Sequence, residues 1–413
     1  GRRRPPHRPQ RRTALSTPAQ TEPTGLSDYD AIIVGAGFAG ATVARELAER
    51  GGKRVIVLES RDHVGGNAYD RLDDAGVLIH QYGPHIFHTV DARVFSYLSR
   101  FTQWNGYSHE VLADVHGTYL PVPFNKISIR RAFGPERGEQ LIEKLIARFG
   151  DEKKVPISEL RKESDPDLIE LADYVWENVF LHYTTKQWGK SAEEIDVSVT
   201  ARVPVYVSED CRYFTDPYQG LPLEGYTAVF DRMLDHPGIT VRTGVDARRL
   251  LDVETPGVVA VEGRPNAGVV IYTGPLDELF GCRYGRLPYR SLDFEFETLP
   301  VDQFQPRGTI NYTVSEDFTR ITEFKHMTKQ VLPGVTTIVR EYSRDYDPDA
   351  GMDPYYPEVN DEVQRMHDRY KTLAAGLPAF YPLGRLAEYR YYNMDATVAN
   401  ALALADKLLK ENK

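Results

Sequence analysis

Patterned hydrophobic positions begin at Tyr29. Tyr29–Val34, apolar apart from Asp30, stops at a glycine and reads as a buried strand. Ala41, Ala44, Leu47 and Ala48 then recur at helical spacing until Gly51–Gly52 interrupts them, and Val55–Leu58 is a second apolar run. Leu141, Ile142, Leu145, Ile146 and Phe149 share one helix face. Leu168, Leu171, Val175, Val179 and Tyr183 share another, so the spacing predicts a helix over 166–183 that "TTKQWGK" breaks. Two-residue alternation replaces the helical period in "LDFEFE" (292–297) and "TINYTV" (309–314), which predicts antiparallel sheet. Near the end, Val398, Ala401, Leu402, Ala405 and Leu408–Leu409 line one side of a helix, with Asp395 placed as its N-cap.

The first of these elements carries a motif. Gly35, Gly37 and Gly40 form G-x-G-x-x-G between the strand and the helix, and Glu59 follows Gly40 by 19 residues at the end of the second strand. Glycines there permit a tight turn and close backbone approach to a pyrophosphate at the helix N-terminus, and the acid can accept hydrogen bonds from a ribose diol. Glycines alone are a weak signal; strand, glycines, helix, strand and acid in order predict a dinucleotide site. Gly65–Gly66–Asn67 adds a second glycine turn immediately after Glu59. This pair of turns resembles the flavoprotein family that includes amine oxidases and phytoene desaturases, and it favours FAD over a nicotinamide cofactor. A terminal helix aimed at a flavin would stabilise negative charge on the reduced ring.

Composition narrows the class. Hydrophobic residues make up 41% of the 413, enough for real cores. Tyrosines number 25 against 17 phenylalanines, which suits a wet cleft whose rings must stack and also hydrogen-bond. Residues 1–27 hold six arginines and one acid, hence +5, and the total of −10 leaves −15 on the remainder. That excludes a general nucleic-acid binder. The basic, proline-rich start reads as a disordered leader or an over-extended start. No apolar run is long enough for secretion or membrane spanning. Cys211 and Cys282 are isolated, which fits a reducing, cytoplasmic setting and no disulfide framework.

Several further stretches resemble the UDP-galactopyranose mutase family: "YGPHIFHT" (82–89), "PVPFN" (121–125), "YTTKQWG" (183–189), "RVPVY" (202–206), "YFTDPYQGLPLEGY" (213–226), "FTRITEFKH" (318–326), "REYSRDY" (340–346) and "EYRYYNMD" (388–395). The resemblance runs over about residues 28–413. It implies an isomerase that interconverts UDP-galactopyranose and UDP-galactofuranose for galactofuranose glycans of the cell wall, without net redox change. It also implies that N5 of reduced FAD attacks the anomeric carbon as UDP leaves, so the sugar opens and recloses on a covalent N5–galactose adduct. NAD(P)H or another reductant, and a homo-oligomer, are expected partners.

The same resemblance assigns roles. Arg202 and Arg320, each amid aromatic and β-branched residues, would hold the diphosphate; chemistry alone leaves structural ion pairs equally open. Tyr183 would stack on uracil, Trp188 would lie in a mobile lid freed by Gly189, and Tyr213, Tyr342 and Tyr391 would reach the diphosphate and sugar. Asn125 and Asn393 are expected sugar-side contacts; many family members have an aspartate where Asn393 stands, which removes any charged role there. Gly83, Pro84 and His85 would touch the flavin, and His88 the sugar. His80, His85 and His88 lack the helical spacing and convergent ligands of a metal site. The expected cofactor set is Gly35, Gly37, Phe38, Ala39, Gly40, Glu59, Ser60, Gly66, Asn67, Gly83, Pro84, His85, Arg385 and Asp395.

The expected fold is α/β: a discontinuous Rossmann-like FAD-binding domain (28–105, 222–288 and 376–413), a helical domain with the lid (106–188), and an antiparallel-sheet substrate domain (189–221 and 289–375). Two rivals remain at this stage. An amine oxidase or desaturase would need an apolar tunnel, which Arg202 and Arg320 line poorly. A non-catalytic flavoprotein or nucleotide-sugar sensor would not need the lid tryptophan.

Overall fold

The computed structural model describes residues 25–191 and 204–411; Arg202 lies outside the described residues. Strands Ala31–Val34 and Val55–Leu58 form where the apolar runs predict them, and they pair in parallel with Val34 opposite Leu58. Three more parallel strands complete the sheet, in the order Ile239–Arg242, Val55–Leu58, Ala31–Val34, Val269–Tyr272, Phe380–Pro382. Successive side chains point to opposite faces, so four of the five strands feed two cores, while edge strand Ile239–Arg242 turns Thr240 and Arg242 to solvent. Ala31, Ile33, Val55 and Val57 pack under helices Phe38–Gly51, Tyr226–Leu234 and Met394–Glu411. Ile32, Ile56, Leu58, Val270 and Tyr272 pack on the other side with helix Asp361–Ala375. Burial on both faces is why these strands read as unbroken apolar runs. Gly52, in the left-handed region at φ 60°, ends the first helix by donating its N–H to the Ala48 carbonyl at 3.1 Å.

A second, seven-stranded sheet runs Tyr356–Pro357, Tyr289–Leu299, Thr336–Asp345, Arg320–Glu323, Thr309–Tyr312, Val111–Val115, Thr118–Val122. Its pairs are antiparallel except Thr309–Tyr312 beside Val111–Val115. The expected boundaries fail in two places. The 111–122 hairpin, assigned above to the helical region, forms the edge of this sheet. Conversely, neither described strand of the 189–221 segment joins it: Pro204–Tyr206 pairs with 124–125 and 154–156, and Tyr218–Gly220 pairs with Phe87–Thr89. Both misplacements concern partners far away in sequence, which local patterns do not specify.

The helical part packs Leu141, Ile142, Leu145, Leu168, Leu171 and Val175 into one core. Ile146 departs from the predicted stripe, 36% exposed. The predicted 166–183 helix runs on to Trp188. It passes from an α-helix (Pro166–Val175) through a π-helical turn (Trp176–Leu181) into a last α-helix (His182–Trp188). A π turn inserts extra rotation, so the residues after it leave the earlier stripe. Tyr183 is therefore off the core face, and Trp188 ends a helix rather than occupying a loop. The terminal helix begins at Met394, so Asp395 lies inside its first turn and is not the N-cap. Among the described residues, no helix is long and apolar enough to cross a membrane.

Candidate active site

The two glycine turns meet backbone to backbone. A Cβ on Gly66 would lie 3.1 Å from the Gly37 Cα, and one on Gly40 would lie 1.9 Å from the Gly35 carbonyl oxygen. Gly65 and Gly66 also sit at φ 101° and 55°, where L side chains are strained. Side chains at these positions would push the two turns apart and distort the backbone at the N-terminus of the Phe38–Gly51 helix, where a pyrophosphate would approach. The turns form one wall of a cavity of about 890 Å³. Gly35, Gly37, Phe38, Ala39, Glu59, Ser60, Gly66, Asn67, His85 and Arg385 line it, while Gly40, Gly83, Pro84 and Asp395 do not. Glu59, 5% exposed, accepts from the Ala36 N–H at 2.8 Å and the Arg61 N–H at 2.9 Å. A carboxylate can accept further bonds, so it retains capacity for a ribose diol.

Two expectations on this side change. Asp395 turns from the cavity to accept the Thr89 hydroxyl at 2.9 Å, leaving Met394 and Thr397 as the part of the terminal helix that lines it. Arg61, which was not expected, also lines the cavity. It donates to Asn67 Oδ1 at 2.9 Å, pairs with Asp353 at 2.7 Å, and lies 4.0 Å from the centre of the Tyr82 ring. Its signal was a cation two residues after the acid.

The 80–89 loop joins this cavity to a second site. Gly83 has φ 82°, and a Cβ there would come within 2.9 Å of the Phe294 ring and 3.6 Å of the Glu341 carboxylate. His85 lines the cavity; its Nδ1 is 2.8 Å from the Gly83 carbonyl, and its N–H donates to His80 Nδ1 at 3.0 Å. Burial pushes the His85 pKa down to about 3 and the His80 pKa to about 4, so both rings are neutral at neutral pH.

Across the loop stands Arg320. Register places it opposite Glu341, and Glu341 grips its guanidinium at two points, one of them Nη2 to Oε1 at 2.9 Å. The Glu341 side chain is 2% exposed and that of Arg320 26%. Burial opposes the Arg320 charge, but Glu341 and nearby Tyr183 outweigh it and raise the arginine's pKa. Tyr183, Tyr213, Tyr356 and His85 all lie within electrostatic reach of Arg320. Tyr356 packs on Tyr391 with ring centres 5.8 Å apart, and Arg385 lies 5.1 Å from the Tyr391 ring centre. Arg385 thus touches both the cavity and this aromatic group. Tyr213 and Tyr391 are 40% and 52% exposed, so the cluster lines an open cleft.

Strand alternation excludes Tyr342 from the cleft. Glu341 faces Arg320, so Tyr342 faces the other way, where its hydroxyl donates to Glu295 Oε2 at 3.0 Å and Phe318 packs against it. Of the residues around Arg320, Phe318 lies in the turn before the strand and Phe324 begins a helix, while Thr322, two residues on, shares its face. Tyr356, in "PYYPE", is a ring that stands near Arg320 where Tyr342 does not. Asn125 is also reassigned. It is 0% exposed and caps helix Lys126–Phe133, accepting the Ser128 N–H at 3.0 Å and donating to the Asp210 carbonyl at 2.9 Å. No part of its amide is left for a sugar. Asn393 is exposed just ahead of the terminal helix.

The helix that carries Tyr183 and Trp188 is pinned to the Arg320 hairpin. Lys186 donates to the backbone carbonyls of Tyr312, Glu316 and Phe318 at 2.6, 2.8 and 3.1 Å. Arg290 and Ser343 both donate to the Gln187 carbonyl.

A parallel sheet with paired glycine turns, and a cavity opening beside a cation-bearing aromatic cleft, define a dinucleotide-binding enzyme of the flavoprotein-oxidoreductase fold. Residues 33–101 match the NAD(P)-binding Rossmann-like domain model. A solved putrescine oxidase bound to putrescine superposes with TM-score 0.54 at 15% identity, over 92% of this chain and 99% of that one. The UDP-galactopyranose mutase model matches residues 178–391. A UDP-galactopyranose mutase from Mycoplasma pneumoniae is 36% identical over 92% of this chain and 96% of its own length. A dTDP-fucopyranose mutase from Escherichia coli is 32% identical, over 92% and 99%. A crystal structure of reduced UDP-galactopyranose mutase superposes with TM-score 0.68 at 17% identity, covering 92% and 94%. The chain belongs to the UDP-galactopyranose mutase family.

Proposed function

We propose that this chain interconverts UDP-galactopyranose and UDP-galactofuranose, with FAD in the cavity and active only when reduced. The observation that carries this reading is the shared wall. His85 and Arg385 line the dinucleotide cavity, and both stand beside the cluster of Arg320, Tyr183, Tyr213, Tyr356 and Tyr391. A diphosphate seated on Arg320 would place its sugar toward that wall. When bound and reduced, FAD supplies a nucleophilic nitrogen, N5, to the anomeric carbon. The chain's own residues do the remainder. Glu341 fixes the Arg320 fork in one orientation, so the guanidinium needs little reorganisation to accept the charge that develops on departing UDP. The tyrosines offer rings to the nucleobase and hydroxyls to phosphate oxygens. Neutral His85, which lines the cavity, would meet the cofactor without adding charge. Arg202 belongs with Arg320 in this reading. A cellular reductant such as NAD(P)H, a homo-oligomeric state and a cytoplasmic location complete the proposal.

The test uses UDP-galactofuranose with the flavin-loaded protein in two tubes, one oxidised and one reduced by dithionite. Anion-exchange chromatography should show UDP-galactopyranose in the reduced tube alone. Conversion in neither tube, with flavin bound, refutes the reading. A dTDP-fucose ring interconversion is the second reading, favoured by the full-length match to the dTDP-fucopyranose mutase. The same chromatography with dTDP-fucofuranose decides between the two.

A further inference from the structure

Strands Phe87–Thr89 and Tyr218–Gly220 pair antiparallel, with His88 opposite Gln219, and this brings the preceding 213–216 segment against the His88 ring. Two contacts fix that ring. His88 Nδ1 lies 2.5 Å from Asp216 Oδ2, and the Phe214 ring stacks on the imidazole at 3.6 Å between centres and 11° between planes. The stack sets the ring plane, and the carboxylate selects which nitrogen it holds. Among the described residues Asp216 is the ring's sole hydrogen-bond partner. The His88 and Asp216 side chains are 15% and 26% exposed, so a cleft ligand can approach the pair.

The place matters as much as the geometry. His88 follows by three residues the His85 that lines the dinucleotide cavity. Phe214 adjoins Tyr213, and both rings neighbour His109, which senses the charge of Arg320. Next to His88, the Thr89 hydroxyl ties the strand to Asp395 in the terminal helix. The imidazole is therefore held by Asp216 and Phe214, on a strand tied by Thr89 to the terminal helix, between cofactor cavity and anion cleft. A surface histidine that merely satisfied a carboxylate would not need such fixing.

We propose that Asp216 is a positioning residue. It holds the proton of His88 on Nδ1, so that Nε2 is offered as a hydrogen-bond acceptor to a hydroxyl of the bound sugar. This rests on the mutase reading above. A carboxylate at Nδ1 selects the tautomer with the proton on that nitrogen, which leaves Nε2 of the imidazole as the acceptor. Sugar hydroxyls are donors that such an acceptor can orient, and ring exchange depends on which hydroxyl points at the anomeric carbon. Aspartate to asparagine at 216 would let the amide donate to Nδ1 and so reverse the tautomer.

The experiment compares wild type, His88→Gln, Asp216→Asn, Asp216→Glu and the double His88→Gln/Asp216→Asn in the reduced, flavin-loaded enzyme. It measures kcat and KM for UDP-galactofuranose, and Kd for UDP, which lacks the galactose. Each single change to Gln or Asn should lower kcat/KM about ten-fold, the worth of one hydrogen bond, with the UDP Kd unchanged. The double variant should be no worse than His88→Gln, because Asp216 acts only through the ring. Additive losses, or an equal loss in UDP affinity, overturn the role, as does wild-type kcat/KM in Asp216→Asn. If Asp216→Asn sheds its flavin, Asp216→Glu carries the test: it keeps a carboxylate, and it should lose less than His88→Gln and lose it only with the sugar-bearing ligand. A loss in UDP binding would overturn the role. Failure of the variants to differ from an active wild type leaves the mutase reading standing. A wild type that holds flavin and binds UDP yet converts nothing removes both.

Discussion

Arg320→Met should cost the protein more than a binding contact. Glu341 is 2% exposed, and Arg320 is the cation that grips it. Methionine keeps most of the volume but leaves a carboxylate buried without a counter-charge. Removing one partner of a buried pair costs about 3–5 kcal/mol. The 26% exposure of Arg320 lets some water reach the site, so the lower end, about 3 kcal/mol, is the expected loss in urea unfolding at pH 7.5. Arg320→Met/Glu341→Met removes both charges and should recover most of that loss, since apolar replacement of a buried pair is often neutral. UDP affinity behaves differently. Both variants lack the guanidinium and should bind UDP ten- to a hundred-fold more weakly, the worth of about 1.5–3 kcal/mol for a charge-assisted contact. Urea titrations and UDP titrations on the same three proteins separate the effects. Unchanged stability in Arg320→Met, or a double variant less stable than the single, would show that the pair is not a desolvated one and refute the reasoning.

Three further outcomes follow from the geometry. Gly66→Ala puts a Cβ 3.1 Å from the Gly37 Cα at φ 55°, so the purified variant should carry markedly less flavin per polypeptide, read by absorbance, while folding otherwise as wild type. Tyr356→Ala should raise KM for the UDP-sugar about ten-fold through loss of ring and hydroxyl contacts, whereas Tyr342→Phe, on the opposite sheet face, should leave steady-state kinetics unchanged. The His80, His85 and His109 pKa values are depressed by burial, to about 4, 3 and 3, against an ordinary 6.5. Their stabilising contribution is complete above pH 6.5 and is lost as pH falls toward 3, at about 1.4 kcal/mol per pH unit for each ring; these rings should leave urea midpoints level from pH 7.5 to about 6.5 and lower them steadily from there to pH 4.5, less so in His80→Gln.

What could be read from the sequence was what is local. The glycine turns, the helix between them and Glu59 occupy one contiguous stretch, and backbone sterics at Gly37, Gly40 and Gly66 act within it. Arg320 and Tyr183 were found through motif resemblance, and the structure does bring them together. Tyr342 was misplaced because the face of a strand is set by its partner: the Arg320–Glu341 pairing decides which way residue 341 points, and a one-residue shift reverses every side chain. Tyr356 was hidden for the same reason, on a two-residue strand with little pattern of its own. The role of Asn125 was legible and passed over, since an asparagine three residues before a serine at the head of a helical run is a capping signal. The π turn at Trp176–Leu181 has no periodic signature, yet it is what turns Tyr183 from core to cleft.

The Lys186 clamp has a bearing on how this surface can change over time. Its three acceptors are main-chain carbonyls of Tyr312, Glu316 and Phe318, and every amino acid supplies a carbonyl. Mutation at those three positions cannot delete the acceptors; only a change in the path of the turn can. The dependence is one-sided: position 186 must keep a long cation, while the turn beneath it can drift in side-chain identity and the helix of Tyr183 stays docked to the hairpin of Arg320.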